Sequence, residues 1–329
     1  KNLIMIIVTG GAGFIGSALV WALNGKGITD IIIVDHLGET DKYKNIIPLK
    51  FLDVFDRDDF GHMVHDGFLK NNKVSVFYHL GACSSTTQLD MNFLLRNNYE
   101  YTKFMCNHCV DNDVRFVYAS SAATYGAGEN GYRDDVNELH KLKPLNPYGY
   151  SKQLFDLSAS REGLLDRIAG MKYFNVFGPN AYHKGDMRSI VHKCFGQIKE
   201  TGKARLFKSD SKEYKDGDQK RDFVYVKDAV DMTIFLGENK NVNGLFNAGT
   251  GKATTFNEFI KPVFAALGVK ENIEYFDMPG VLKGRYQDFT QADMTKLRNA
   301  GYKGVPTPIE NAVKDYVGNY LTKDFPYLQ

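Results

Sequence analysis

Short apolar runs rich in β-branched residues recur through the first half of the chain and alternate with longer stretches compatible with helices. Runs of about four to eight such residues are typical of buried strands. Because helical stretches separate most of the runs, the pattern predicts an α/β fold with a doubly wound parallel sheet of the Rossmann type. The predicted strands are residues 4–9, 31–35, 49–53, 74–80, 115–120 and 170–174.

The alternation becomes less regular after residue 175. Later helical stretches, which predict a smaller and mostly helical lobe, are residues 187–201, 255–267, 292–300 and 308–321. Residues 222–250 predict a strand, a helix and a further strand that returns to the sheet. The expected organisation is a sheet domain of residues 1–174 with the returning segment 222–250, and a second lobe of residues 175–221 and 251–329.

Three glycines spaced three apart follow the first predicted strand. Gly10, Gly13 and Gly16 lie in GGAGFIG and precede an apolar helical stretch, residues 17–23. In such a strand–turn–helix unit the glycines allow a tight turn, a close approach of the backbone to a pyrophosphate, and packing of helix on strand. The second predicted strand ends in Asp35, at the spacing of an acid that binds a ribose hydroxyl. The unit predicts a dinucleotide site.

Polar or glycine-containing clusters follow several of the predicted strands, with the sequences HLGET, GACSSTT, SAATYG and NVFGPN. The carboxyl ends of parallel strands meet at one edge of a sheet, and ligands bind in the crevice there. We therefore expect these loops to build one cleft.

The segment NPYGYSK contains Tyr148 and Lys152, which a helix places on one face. A phenol is a poor base at neutral pH, but a neighbouring lysine and a nicotinamide cation both favour the phenolate. The pair therefore predicts a general base for an alcohol. Of Ser120 and Ser121 we favour Ser121 as the hydroxyl that orients the substrate oxygen, since strand alternation points only one of them into the cleft. Tyr150 is the rival phenol, but no lysine follows it at the fourth position.

The composition is that of an ordinary globular protein, with 43% hydrophobic and 24% charged residues among 329. A formal net charge of +2 gives no indication of a nucleic-acid partner. No stretch is long and apolar enough to predict a membrane span, and the apolar start predicts the first strand rather than a signal peptide. We therefore expect a cytoplasmic protein.

Cys106 and Cys109 form a CxxC sequence, CNHC. No second ligand pair accompanies them, so packing within a helix is the favoured interpretation and no metal site is expected. Four cysteines in a chain of this length do not make a disulfide framework, which fits a reducing compartment.

The glycine turn, the SSAATYG loop and the YxxxK pair together resemble the extended short-chain dehydrogenase/reductases that act on nucleotide sugars. Further segments are similar, in order and over nearly the whole chain, to the ADP-L-glycero-D-manno-heptose 6-epimerase family. They are GACSSTT, NPYGYSK, YFNVFGPN, HKGDM, KRDFVYVKD and LKGRYQDFTQAD. GACSSTT and LKGRYQDFTQAD discriminate this family within the superfamily.

The resemblance implies inversion of C6″ of ADP-D-glycero-D-manno-heptose through a transient ketone, with a tightly bound cofactor, for lipopolysaccharide biosynthesis. In the family a tyrosine and a lysine serve as the two acid/base groups, and the matching residues are Tyr148 and Lys184. Lys152 and Ser121 complete the implied catalytic set. Without the resemblance, an exposed loop lysine would be the favoured interpretation of Lys184. The family also forms pentamers, so we expect a homo-oligomer.

Two features of the sequence indicate different nicotinamide cofactors. Asp35 favours NAD because it repels a 2′-phosphate, whereas the family prefers NADP and uses basic residues that match Lys42 and Arg57. The resemblance therefore implies NADP, with NAD possible. The expected cofactor contacts are Gly10, Gly13, Phe14, Ile15, Gly16, Asp35, His36, Lys42, Arg57, Leu80, Gly81, Ala82, Cys83, Ser84, Asn97, Lys152, Val176 and Lys184.

The resemblance also implies contacts to the sugar and its diphosphate, with Arg221 as the residue that grips phosphate oxygens. Asp186 replaces a serine that can occur in the family, and the 208–220 loop is longer than usual. The expected substrate contacts are Asn175, Asp186, Lys193, Phe207, Lys208, Ser209, Asp210, Arg221 and Tyr286.

Two other classes of function remain open from the residues: another nucleotide-sugar enzyme, and a regulator without catalysis. A nucleotide-sugar 4-epimerase would use the same cofactor and base, and a dehydratase would need an acid beside the catalytic serine, where SSAATYG has alanines and a threonine. A regulator that binds nucleotides without catalysis should have lost part of the catalytic set, which is complete here.

Overall fold

The computed structural model describes residues 4–280 and 287–329. Within them, seven parallel strands with flanking helices form a central sheet, which confirms the predicted α/β fold. The strands are β1 (Met5–Thr9), β2 (Ile31–Val34), β3 (Asp53–Phe55), β4 (Val74–His79), β5 (Arg115–Ser121), β6 (Ala169–Tyr173), β7 (Asn175–Phe177), β8 (Ala204–Phe207), β9 (Lys220–Arg221), β10 (Phe223–Tyr225), β11 (Gly244–Ala248), β12 (Thr254–Thr255) and β13 (Ile273–Phe276). The α-helices are α1 (Phe14–Gly25), α2 (Arg57–His65), α3 (Phe68–Asn71), α4 (Met91–Leu94), α5 (Tyr101–Asp111), α6 (Pro147–Arg161), α7 (Ile190–Thr201), α8 (Val226–Glu238), α9 (Phe256–Leu267), α10 (Thr295–Asn299) and α11 (Ile309–Tyr316).

The strand order is β11-β6-β5-β4-β1-β2-β3, so the order reverses between β1 and β4. At such a switch point the loops that leave the two strands diverge and open a crevice. The loops here are the glycine-rich turn after β1 and the GACSSTT segment after β4. They touch closely, because a Cβ on Gly10 would lie 2.7 Å from the Cα of Gly81.

The third strand lies later in the chain than the sequence predicts. β3 begins at Asp53, whereas the prediction placed a strand at residues 49–53. The backbone N–H of Lys50 donates to the Asn24 side chain at 2.7 Å, which ties this part of the chain to the end of α1. The chain joins β2 only where the N–H of Leu52 donates to the carbonyl of Ile31 at 2.8 Å. The predicted strand at residues 49–53 was therefore placed too early in the chain. Most of this apolar run packs against the protein instead of pairing with β2.

The segment after β10 returns to the sheet through α8, and β11 then pairs with β6 in parallel. Outside the sheet, β10 pairs with β7, β12 with β9 and β13 with β8, and these two-stranded ladders accompany α7, α9 and α11. α7 begins at Ile190 rather than at residue 187, because Ser189 caps it by accepting from the His192 N–H. The division into two domains stays a prediction.

The apolar core follows the sheet. Ile7, Phe77 and Phe116 lie on neighbouring strands and are fully buried. Burial on both faces is usual for parallel strands with helices on either side. In the described ranges 4–280 and 287–329, helices long and apolar enough to cross a bilayer are absent.

Candidate active site

The glycine-rich turn after β1 is built without room for side chains. Gly10 has a φ of +67°, and a Cβ on Gly16 would lie 2.0 Å from the carbonyl oxygen of Gly10. Gly13 caps α1 without a side-chain hydrogen bond, and the first turn of α1 carries no acidic residue. The backbone N–H groups at this helix N-terminus therefore suit a pyrophosphate, so the turn fits a dinucleotide.

A cleft of about 770 Å³ opens at the carboxyl ends of the strands, beside this turn. It brings together most of the predicted cofactor and catalytic residues: Gly10, Gly13, Phe14, Ile15, Gly16, Asp35, Lys42, Leu80, Gly81, Ala82, Cys83, Ser84, Ser121, Tyr148, Lys152, Val176 and Lys184. Further lining residues that the sequence did not single out include Thr40, Ser85, Ala119, Phe174, His183 and Met187.

Asp35 and Lys42 form an ion pair at the edge of the cleft. Lys42 Nζ lies 2.9 Å from Asp35 Oδ1 and also donates to the carbonyl of His36 at 3.1 Å. The other carboxylate oxygen of Asp35 accepts from the backbone N–H of Ala12 at 3.0 Å. Asp35 is almost wholly buried, so its charge is compensated locally rather than by solvent.

Three predicted cofactor contacts do not line the cleft. The exposed ring of His36 lies 3.1 Å from an Asp56 carboxylate oxygen. The guanidinium of Arg57 contacts the side chains of Asn97 and, at 2.8 Å, Asp58. His36 therefore contacts the residue that follows β3, and Arg57 joins Asn97 to the first turn of α2. The predicted contact of these three residues with the cofactor stays a prediction.

Hydrogen bonds from the Asn98 side chain hold the GACSSTT loop in place. The sequence analysis did not predict a role for Asn98. The Asn98 side chain accepts from the N–H of Cys83 and donates to its carbonyl, both at 2.9 Å. It also donates to Ser151 of α6 at 3.0 Å. Asn98 lies in a π-helical turn, Leu95–Glu100, between α4 and α5. Nothing local to the sequence signals such a turn, although π-turns often mark functional sites.

Tyr148 and Lys152 lie one turn apart at the start of α6, which begins at Pro147 and is capped by Asn146. Lys152 Nζ donates to the carbonyl of Ala119 at 2.7 Å, which holds it beneath the cleft. Burial lowers the pKa of Lys152 to about 8, while the charge of Asp156 opposes this shift. Burial raises the pKa of Tyr148, and a hydrogen bond with Ser121 partly offsets that rise.

The two serines at the end of β5 point in different directions. Ser120 Oγ donates to the buried Asp156 carboxylate at 2.7 Å. Ser121 Oγ accepts from the N–H of Ala123 at 3.1 Å and bonds to Tyr148. The structure therefore places Ser121, rather than Ser120, beside the phenol.

Lys184 enters the cleft from a 3₁₀ segment, Tyr182–Met187. Its Nζ lies 5.8 Å from the ring centre of Phe14, and burial lowers its pKa. The preceding His183 lies 3.4 Å from Asn45, whose side chain also donates to the carbonyls of Ala12 and Asn180. The lysine loop is thereby tied to the glycine-rich turn.

A second pocket of about 370 Å³ adjoins the cleft and shares Asn175, Val176 and Met187 with it. It is lined by three predicted substrate contacts, Asn175, Asp186 and Arg221. A smaller pocket of about 160 Å³ continues it and holds Lys193 and Phe207. The three cavities form one groove.

Three further predicted substrate contacts, Lys208, Ser209 and Asp210, lie outside these pockets. Lys208 pairs with Asp277 at 3.1 Å, and the N–H of Ser209 donates to Asp216 at 2.8 Å. Lys208, Ser209 and Asp210 therefore do not line the cleft or the two smaller pockets. Tyr286 lies outside the described residues.

The CxxC cysteines pack inside the protein. Cys106 and Cys109 lie on α5, fully buried, and burial raises the pKa of Cys106 to about 12. Clusters of His, Cys, Asp or Glu able to hold a metal ion are absent from the part of the chain that the structure describes.

Comparison with known proteins gives the family. Residues 6–249 match the NAD dependent epimerase/dehydratase family. The ADP-L-glycero-D-manno-heptose-6-epimerase of Nitratidesulfovibrio vulgaris (strain DP4) is 52% identical over 324 residues, which cover 98% of this chain and 100% of the relative. The enzyme of the same name from Fusobacterium nucleatum subsp. nucleatum is 47% identical over 335 residues, with 98% and 100% covered.

Solved structures show the same fold. The ADP-L-glycero-D-manno-heptose-6-epimerase of Helicobacter pylori superimposes with a TM-score of 0.78 at 24% identity, covering 97% of this chain and 96% of that one. The UDP-glucose 4-epimerase of Thermotoga maritima gives a TM-score of 0.76 at 24% identity, covering 96% and 98%. By its full-length relatives and its matched domain, the chain belongs to the NAD dependent epimerase/dehydratase family and, within it, to the ADP-L-glycero-D-manno-heptose-6-epimerases.

Proposed function

We propose that this isomerase inverts C6″ of ADP-D-glycero-D-manno-heptose to give ADP-L-glycero-D-manno-heptose, a precursor of the lipopolysaccharide core. The observation that carries the proposal is one cleft that holds both Tyr148 and Lys184 beside the glycine-rich turn. The names of the full-length relatives supply the substrate class.

The inverted carbon is that of a secondary alcohol, whose C–H is not acidic, so direct deprotonation cannot invert it. A bound nicotinamide cofactor supplies a hydride acceptor and donor, so the carbon can pass through a ketone. Gly10, Gly13 and the N-terminus of α1 would hold the pyrophosphate of that cofactor. Hydride return to the opposite face requires the ketone to turn over, which moves its oxygen. A second proton-transferring group is then useful.

Tyr148 is proposed to exchange the hydroxyl proton on one side. Lys152, as a cation one helical turn away, favours the phenolate, and Ser121 orients the substrate oxygen. In the oxidative direction the phenolate takes the O–H proton as the C–H bond gives up its hydride. In the reverse direction the phenol returns that proton to the oxygen.

Lys184 is proposed to serve the other orientation of the ketone. Burial lowers the pKa of Lys184, which makes its amine form easier to reach. As an ammonium, it donates a proton to the carbonyl oxygen when hydride returns, and as an amine it takes the proton back in the reverse reaction.

We infer NADP as the preferred nicotinamide cofactor, with NAD possible. The support is Lys42, which lies 2.9 Å from Asp35 and offsets the charge that would repel a 2′-phosphate. We further infer that Arg221, which lines the second pocket, binds the diphosphate of the nucleotide sugar.

The proposed setting is the cytoplasm, and the proposed assembly is a homopentamer. The compartment is supported by four free cysteines, of which three are buried. The assembly rests on the resemblance of the sequence to the family, and light scattering of the purified chain tests it.

The purified chain is incubated with ADP-D-glycero-D-manno-heptose, without added cofactor, and the C6″ epimers are resolved by NMR. Appearance of the L-glycero epimer is expected. Failure to convert it, with NADP and then NAD supplied, while a UDP-hexose is epimerised, would contradict the proposal and favour a 4-epimerase.

A further inference from the structure

An ion pair lies beneath the cleft, shielded from solvent. Lys172 Nζ is 2.7 Å from Asp156 Oδ2, and both side chains have 0% of their surface exposed. The carboxylate also accepts from Ser120 at 2.7 Å and from the hydroxyl of Tyr118 at 2.8 Å. Desolvating two charges costs about as much as their attraction returns, so such a pair is a weak source of stability. Another role is therefore expected.

The pair is linked by hydrogen bonds to the catalytic serine. Lys172 Nζ donates to Thr124 Oγ1 at 2.8 Å, and Thr124 Oγ1 donates to the carbonyl of Ser121 at 2.8 Å. Thr124 is fully buried, so water does not compete for these bonds. Two hydrogen bonds through Thr124 thus connect the backbone of Ser121 to the buried ion pair.

The same carboxylate lies one helical turn from the lysine of the YxxxK pair. Asp156 follows Lys152 on α6 by one turn, as Lys152 follows Tyr148. Burial lowers the pKa of Lys152 to about 8, and Asp156 opposes this, with a smaller contribution from Cys83. His79 on β4 also senses the charge of Lys152, but burial holds its pKa near 3, so it is neutral.

The groups that face Asp156 come from each neighbouring element. They are Tyr118 and Ser120 of β5, Lys172 of β6, and Thr124 and Tyr125 of the 3₁₀ turn after β5. Burial keeps the phenols of Tyr118 and Tyr125 protonated by raising their pKa values. Asp156 is thus in direct contact with Lys172, while on Lys152 it acts by its charge.

We propose that Asp156 is a positioning residue, which places its negative charge one helical turn from Lys152 and, through Lys172 and Thr124, fixes Ser121 against Tyr148. The role deepens the proposed function, since it rests on Tyr148 as the base. Without the carboxylate, the buried Lys152 loses its proton more readily. Its cation then no longer favours the phenolate.

The test is a titration of Lys152 in the full chain, which needs no sugar substrate. Lysine labelled with ¹³C at the ε carbon is followed by NMR against pH, and the Lys152 signal is assigned by its absence in Lys152→Met. We expect Asp156→Asn to move this titration to lower pH by about one unit or more, which is a tenfold change in the proton equilibrium. Tyr118→Phe removes one neutral hydrogen bond to Asp156 but no charge, so it should leave the titration in place.

If Asp156→Asn does not fold, Lys172→Met tests the opposite sign: it removes the cation that neutralises Asp156 and should move the Lys152 titration to higher pH. In the epimerase assay we expect kcat of Asp156→Asn to fall about fivefold or more near pH 8 with KM unchanged, and the alkaline limb of the profile to move to lower pH. An unmoved Lys152 titration, or a uniform loss of kcat with an unmoved profile, would overturn the inference. Absence of epimerisation in the wild-type chain would instead count against the proposed function, while the titration would still test the role of Asp156.

Discussion

Lys42 and Asp35 form an ion pair, with Nζ 2.9 Å from Oδ1, at the edge of the cleft where the second strand ends. The side chain of Asp35 is buried, and that of Lys42 is partly exposed. An acid at this place ordinarily accepts a ribose 2′-hydroxyl and excludes a 2′-phosphate. Here the backbone of Ala12 occupies the other carboxylate oxygen and the lysine compensates the charge. The proposed preference for NADP therefore rests on this pair.

Lys42→Ala should weaken binding of NADP about tenfold or more and that of NAD much less, because a charge-assisted contact to phosphate is lost and Asp35 is left uncompensated. Fluorescence titration with the two reduced cofactors measures the ratio. Lys44→Ala is the matched control, since Lys44 lies in the same 3₁₀ turn but pairs with Asp41 at 3.0 Å. Equal losses for both cofactors in Lys42→Ala would argue against a 2′-phosphate contact.

Tyr148→Phe and Lys184→Met should each reduce epimerisation by about 10²- to 10⁴-fold, the usual contribution of a general acid or base. The glycine-rich turn is untouched, so nicotinamide absorbance should still co-purify. Tyr150→Phe serves as the control because 46% of the Tyr150 surface is exposed and it does not line the cleft. Near-normal turnover in either cleft variant would remove that residue from the acid/base pair.

Stability should fall as the pH drops below about 6.5, the ordinary value for histidine. Burial lowers the pKa of His79 to about 3 and those of His183 and His192 to about 4. The unfolded chain therefore binds protons between pH 6.5 and 4 that the folded chain does not, so stability is present above this window and lost within it.

Urea unfolding at a series of pH values measures this loss, which should approach 1.4 kcal/mol per pH unit for each such histidine. His192→Gln should make the dependence shallower, whereas His65→Gln, on an exposed residue, should not. A free energy of unfolding that is flat between pH 7 and 5 would show that the buried histidines do not control acid stability.

Cys83 should be the only cysteine that reacts rapidly with a thiol reagent in the native protein. It lines the cleft, whereas Cys106, Cys109 and Cys194 are buried with raised pKa values. Reaction of one thiol per native chain, slowed by bound cofactor and abolished in Cys83→Ser, is the expected result. Rapid reaction of the CxxC pair would contradict its assignment to packing.

Much of the candidate site can be predicted from the spacing of residues that are close in the sequence. The glycine turn, Asp35 and the Tyr148–Lys152 pair depend on residues close in sequence, so their arrangement follows from one turn or one helix. Strand alternation likewise separated Ser121 from Ser120. The seven-stranded fold followed from the regular alternation of apolar runs and helices.

Other parts depend on contacts between distant segments and left no local signal. Asp156 meets Lys172 because α6 packs on β5, which pairs with β6, and Asn98 meets Cys83 through a π-turn. The start of β3 was mispredicted because a side chain of α1 binds the run that precedes it. Tertiary context overrides local preference at such positions.

The central claim is that C6″ is inverted by removal and return of hydride within one cleft. Substrate carrying deuterium at C6″ is converted in ordinary water, and unlabelled substrate in heavy water, and each product is examined by NMR. The account predicts that the label stays at C6″ in the first product and that none enters C6″ in the second, because the hydrogen is held as hydride and does not mix with solvent protons. Loss of deuterium, or its uptake from heavy water, would show that the carbon is deprotonated and would contradict the account.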